Sequence, residues 1–313
     1  MPIQRFAASL ALALLITACA KEAPPPPAVQ AAPEPAPAAA APAAEPNSFQ
    51  FTIGSLPAIA LRDGGLTVPN DGKVFAVAQP TEGVAKLLGE SGLPTAELSL
   101  SVQPLLVRAG DRVLLFDTGA GTNMGPGAGK LGAALQEAGV APASVTDIFI
   151  SHAHGDHVGG LAGADGALAF PNAKVHLAAA EWAYLRAMTE QAALVSAVTP
   201  KVAAFKPGSE LVPGVVRAVE IKGHTPGHSG YLIGSGTDTL LYVGDSLHHF
   251  VISVQEPDWT IAFDGDAPTA QKSRKDLLAK NAAAGQRIYS VHFPFPGIGR
   301  FEKQGDHFVW VAE

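Results

Sequence analysis

Residues 151–157 read Ser-His-Ala-His-Gly-Asp-His. Three imidazoles and a carboxylate therefore crowd six positions. His152 and His154, two apart, project to the same side of an extended backbone. Gly155 permits a sharp turn before Asp156 and His157. Neutral imidazoles with a carboxylate suit zinc or a similar divalent ion. One catalytic metal needs about three protein ligands, so four groups either leave one idle or serve two metals.

The rest of the chain supplies three more. His224 stands in "KGHTPGHSGYL", Asp245 in "LLYVGDSLHH" and His292 in "IYSVHFPFPGIG". Each follows an apolar, strand-like run, so all three can emerge on one edge of the fold. The total of five histidines and two aspartates fits two metals with a shared carboxylate. Other polar residues have plainer expected roles. His176 is a strand residue, His228 braces the loop of His224, and His307 is structural. His248 and His249 either line the pocket or start a helix. Asp258 and Asp264–Asp266 cap or turn the chain. Trp182 and Phe293 either wall an apolar substrate pocket or pack in the core.

Elements that could position these groups are legible from periodicity. "LSLSVQPLLVRAGDRVLLFDTG" reads as two strands joined by a tight turn at Ala109–Asp111. "KLGAALQEAGV" has helical spacing and a stop at Gly139. "VTDIFI" is a short buried strand running into the histidine loop. Strand-like "KVHLA", helix-like "AAEWAYLRAM", and strands "VVRAVEI", "GYLIG" and "TLLYVGD" follow. "DAPTAQKSRKDLLAKNAAAG" reads as a helix opened by Asp266, and "RIYSVHF" and "HFVWVA" as strands. The mixture gives an α/β fold class.

The chain has 313 residues, 47% of them hydrophobic, and a formal charge of −7. It carries no cluster of Lys or Arg, which argues against a nucleic-acid partner. Its single cysteine excludes a disulfide framework. Residues 1–18 combine Arg5, an apolar run and small residues, as a secretory signal does. "LITAC" resembles a lipoprotein signal that would leave Cys19 acylated and first in the mature chain. Residues 19–46 are nearly all Ala, Pro and Glu and suit an extended tether. The expected organisation is a signal over 1–18, a tether over 19–46 and a folded domain carrying the histidine motifs over 47–313. That implies an exported protein, periplasmic or on the outer membrane, anchored by lipid at Cys19.

The ordered set H-x-H-x-D-H, then a distal His, Asp and His after strands, resembles the metallo-β-lactamase fold superfamily of hydrolases. From about Phe51 to Val311 the segments "LLFDTGAG", "SHAHGDHVGGL", "AFPNAKV", "LVPGV", "GHTPGHSGYL", "GDSLHH", "VQEPDW" and "HFPFPGIG" resemble its methyl parathion hydrolase branch and the related lactonases. The resemblance implies a four-layered αβ/βα sandwich. It places His152, His154 and His224 on one metal and Asp156, His157 and His292 on a second, with Asp245 bridging and Asp117 orienting a ligand or fixing a loop. It implies two divalent ions, zinc foremost, and a bridging hydroxide acting on a small-molecule lactone, ester or phosphotriester, with Asp156 and Asp245 as the catalytic carboxylates. No tyrosine stands where a leaving-group donor could be assigned. Alternatives are a glyoxalase-type thioesterase, a β-lactamase or a nuclease of the same fold, or a metal-binding lipoprotein without catalysis.

Overall fold

The computed structural model describes residues 46–122 and 124–313. The signal of 1–18, Cys19 and the tether up to residue 45 lie outside the described residues. The chain enters as β1 (Ser48–Ile53) and β2 (Leu56–Leu61). It then makes β3 (Gly64–Pro69), α1 (Thr81–Glu90) and β4 (Glu97–Val102). There follow β5 (Leu105–Ala109), β6 (Arg112–Phe116), α2 (Leu131–Glu137), β7 (Asp147–Phe149), α3 (Gly155–Val158), β8 (Lys174–Ala178), α4 (Ala179–Ala187), α5 (Ala192–Val198) and β9 (Val202–Phe205). The second half runs β10 (Glu210–Val212), β11 (Val216–Glu220), β12 (Ser229–Ser235), β13 (Asp238–Tyr242), α6 (Ile252–Gln255), α7 (Ala267–Ala284), β14 (Arg287–Tyr289), β15 (Ile298–Gln304) and β16 (His307–Ala312).

Two seven-stranded sheets result, in the orders β1-β2-β5-β6-β7-β8-β9 and β10-β11-β12-β13-β14-β15-β16. Strands β6 to β9 run parallel, as do β13 and β14, and the other neighbours are antiparallel. Parallel strands covered on both faces need apolar runs, and β7 (Asp-Ile-Phe) is buried at every residue. Between the sheets lies one core layer, where Phe116 stacks on Phe149 at 5.0 Å and Tyr242 on Tyr289 at 5.5 Å. Leu131, Leu135, Leu185 and Val198 of α2, α4 and α5 cover the outer face of the first sheet. Leu277 and Leu278 of α7 cover the second. The result is the four-layered αβ/βα sandwich.

Helix α7 has its expected ends. Asp266 accepts from the Thr269 amide, Pro268 sits in the first turn, and Gly285 closes the helix at φ 60°. The turn joining β5 to β6 also falls where the sequence puts it. The preceding segment differs: Gln103-Pro104 breaks the run, so β4 leaves the first sheet and pairs with β3 in a separate ribbon. Strands β1, β2, β3 and β15 carry weaker patterns that the sequence reading does not pick out.

Candidate metal centre

The polar loops leave the carboxyl ends of central strands, where open α/β sheets form their clefts. Asp117 follows β6, residues 151–157 follow β7, and His224 follows β11. Asp245 follows β13, and His292 follows β14. All seven predicted residues converge. His224 Nε2 lies 3.1 Å from His152 Nε2 and 3.0 Å from His154 Nδ1. In a second group His157 Nε2 and His292 Nε2 lie 3.6 and 3.5 Å from Asp156 Oδ2. Asp245 straddles the two. Its Oδ2 is 3.7 Å from His152 and 3.5 Å from His224, while its Oδ1 is 3.2 Å from both His157 and His292. The extended reading holds for His152 and His154, but Asp156 and His157 sit on the one-turn helix α3 rather than on a loop.

These contacts fit a bound cation better than a hydrogen-bond network. Three ring nitrogens face one another in the first group, and neutral imidazoles cannot each donate and accept there. In the second group His157 Nε2 and Asp245 Oδ1 are buried without a hydrogen-bond partner. Such orphaned groups are rare in folded proteins and mark a place for a ligand or ion. Burial pushes His152 well below the usual imidazole range, lowers His154, and brings His224 to about 3. Burial acts the same way on His157 and His292, but Asp245 and Asp156 overcome it and raise both, His157 well above its ordinary value with help from Asp117. Burial would raise Asp245. His157, His292 and His152 hold it well below the usual carboxylate range instead.

Buried groups behind the cluster hold it in place. Asp117 adopts φ 58°, a left-handed conformation that Asp tolerates better than most residues. Its Oδ2 accepts from Ser151 Oγ, Tyr242 Oη and His157 Nδ1, each at 2.7 Å, and its Oδ1 accepts from the Ser151 amide. His228 receives the Asp245 amide on Nε2 and donates from Nδ1 to the Ile221 carbonyl, so it braces Asp245 as well as its own loop. Gly244, at φ 51°, leaves room for that ring, because a Cβ there would sit 2.6 Å from His228 Nε2. His292 Nδ1 donates to the Ser101 carbonyl.

Two of these supports lie outside the sequence reading. Asp264 closes a turn, its amide donating to the Ile261 carbonyl, but does more than that: its Oδ1 bonds His224 Nδ1 at 3.0 Å, and its Oδ2 pairs with the buried Arg274 at 2.7 Å. Asp264 therefore braces His224, while His248, the third member of the nearby trio His224, His248 and Asp264, has both ring nitrogens buried without a hydrogen-bond partner. The other is Glu181, whose position inside an Ala-rich helical run gives no hint that it reaches the histidine loops.

A cavity of about 250 Å³ opens over the cluster, lined by Leu66, Leu100, Met124, His154, Gly155, Asp156, Asp245, His248, Phe263 and His292. Among the described lining residues there is no Lys or Arg, and no Ser, Thr or Cys that could act as a nucleophile. Phe293 is instead buried against Phe250 and Trp310, and Trp182 packs on the outer core under Arg186. The apolar wall comes from the β3–β4 ribbon and Phe263. His248 lines this cavity, with its ring parallel to that of His292 at 5.8 Å. His249 instead accepts the Val251 and Ile252 amides at the start of α6.

Fold and site together define a metal-dependent hydrolase. Residues 100–284 match the model of the metallo-beta-lactamase superfamily, and the chain belongs to that family. Its structure resembles AidC, described as a dizinc quorum-quenching lactonase in complex with a product. The TM-score is 0.80 at 28% identity, over 85% of this chain and 97% of that one. It also resembles AbOPH, described as a hydrolase in the beta lactamase superfamily. Here the TM-score is 0.77 at 25% identity, over 86% and 98%. A ribonuclease Z of Salinibacter ruber is 42% identical over 73 residues, which span 23% of this chain and 19% of that protein.

Proposed function

We propose that this chain is a dinuclear hydrolase of apolar lactones or esters, with His152, His154 and His224 holding one divalent ion and Asp156, His157 and His292 the other. The observation that carries the reading is Asp245, whose carboxylate lies between the two groups, with Oδ2 toward His152 and His224, Oδ1 toward His157, and both oxygens 3.2 Å from His292. Two ions in those positions, zinc foremost, would supply Lewis acidity and lower the pKa of water. The chain's own residues do the rest. Asp245 fixes the spacing of the two groups. Asp156 adds its charge at the cavity floor. Leu66, Leu100, Met124 and Phe263 exclude water and accept the apolar part of the substrate. The apolar described lining favours substrates with an apolar body, and among the described lining residues there is no Lys or Arg to hold a nucleic-acid backbone. The likeness to AidC supports a lactone in particular.

A hydrolysis panel of alkyl-chain lactones, aryl esters, phosphotriesters, a β-lactam and a glutathione thioester tests this. Hydrophobic lactones or aryl esters should turn over fastest. A β-lactam or thioester as best substrate would leave only the superfamily standing. The signal-like start further supports export with a lipid anchor at Cys19, and Cys19→Ser should then move the protein from the membrane to the soluble fraction.

A further inference from the structure

Glu181 lies in the first turn of α4 and is fully buried. Its Oε1 accepts from the Ala153 amide at 2.7 Å. Its Oε2 accepts from the Gly227 amide at 2.7 Å and from Thr225 Oγ1 at 2.9 Å. Ala153 stands between His152 and His154, and Thr225 immediately follows His224. One carboxylate thus ties together the two loops that bear all three histidines of the first group. Ala153 also leads into Asp156 and His157 in the same segment, but Glu181 makes no hydrogen bond to those residues or to His292, whereas its bonds flank every histidine of the first group. The approach is close, since a Cβ on Gly227 would fall 2.3 Å from the Glu181 amide nitrogen. Burying a carboxylate without a cation opposite it is unfavourable, and burial does raise its pKa. An apolar residue would serve packing better. What a carboxylate adds is a set of short, charge-assisted bonds in fixed directions.

We infer that Glu181 is a positioning residue that sets the spacing of His152, His154 and His224, and so controls divalent-cation affinity at that group more than at the second. The inference rests on the two-ion reading above. Glu181→Gln keeps the volume but turns an NH2 toward N–H and O–H donors, so at least one of the two loops loses its tether. Thr225→Val is close to isosteric and removes a single donor.

The test is Co2+ titration followed by visible absorption and elemental analysis, with circular dichroism to monitor folding. It is run in two backgrounds: His292→Ala, which disables the second group, and His154→Ala, which disables the first. In the His292→Ala background Glu181→Gln should weaken Co2+ binding about 10- to 100-fold and alter the absorption bands, the usual range for a residue that orients a metal ligand. Thr225→Val should weaken it less. In the His154→Ala background both changes should matter clearly less. If Glu181→Gln does not fold, Thr225→Val decides alone. Equal losses in both backgrounds, or none, overturn the assignment while leaving two ions in the wild type. A wild type that takes up fewer than two Co2+ ions overturns the two-ion reading and this inference with it.

Discussion

The two histidine groups share Asp245 but are built differently. The first is all imidazole. Burial keeps His152, His154 and His224 neutral, and the carboxylates that steady it, Glu181 and Asp264, stand behind the loops or behind a ring. The second has Asp156, Asp245 and Asp117 pressed directly around His157, and its histidines hold protons readily. Without metal, protons on His157 and His292 can offset the charge of the second group, whereas the first has neutral nitrogens turned on one another. On the two-ion reading proposed above, a metal would displace protons from the second group and meet ready lone pairs in the first.

The largest effect should come from the shared residue. Asp245→Ala should lower affinity at both groups and cut turnover by more than the about 10- to 100-fold expected of a supporting residue. Isothermal titration with Zn2+ beside steady-state rates checks this, and loss confined to one group would break the symmetry assigned to Asp245.

Next in size is pH. His157 and His292 have raised pKa values, so acid should compete with metal at the second group first. As pH falls through those values, the second ion should be lost before the first, because burial lowers the pKa of His152, His154 and His224. Occupancy measured by elemental analysis after dialysis across a pH series reads this, and release in the opposite order would contradict the contrast.

Smaller still is Tyr242→Phe, which removes one of the four donors to Asp117. It should cost about 1 kcal/mol of stability and weaken the second group only slightly. Thermal unfolding of the metal-free and metal-loaded proteins measures both. An equal effect on first-group affinity would mean that the two supports are not separate.

The seven converging residues are legible because each sits in or next to a short polar motif after an apolar run, and the α/β class because strand-like runs alternate with helical spacing; the four-layered sandwich comes only from the family resemblance. The supports were less legible for physical reasons. Glu181 and Asp264 act across 28 and 40 residues of chain, and nothing local in Ala-Ala-Glu-Trp or Phe-Asp-Gly-Asp marks a buried carboxylate. The sequence leaves the pocket wall open for a similar reason: Phe293 and Trp182 have the size for it, but Phe293, in the loop after β14, and Trp182, on α4, take the other course and pack into the core layers. Leu66 and Leu100 reach the cavity because Pro104 ends the β4 run and lets the β3–β4 ribbon fold over the cluster.

The central claim, two metal groups joined by one carboxylate, is tested most directly by crystallography of the metal-loaded protein with anomalous scattering at the zinc edge. The account predicts two anomalous peaks per chain, one among His152, His154 and His224 and one among Asp156, His157 and His292, with Asp245 contacting both. A single peak at full loading, or a second ion bound away from Asp245, would contradict it.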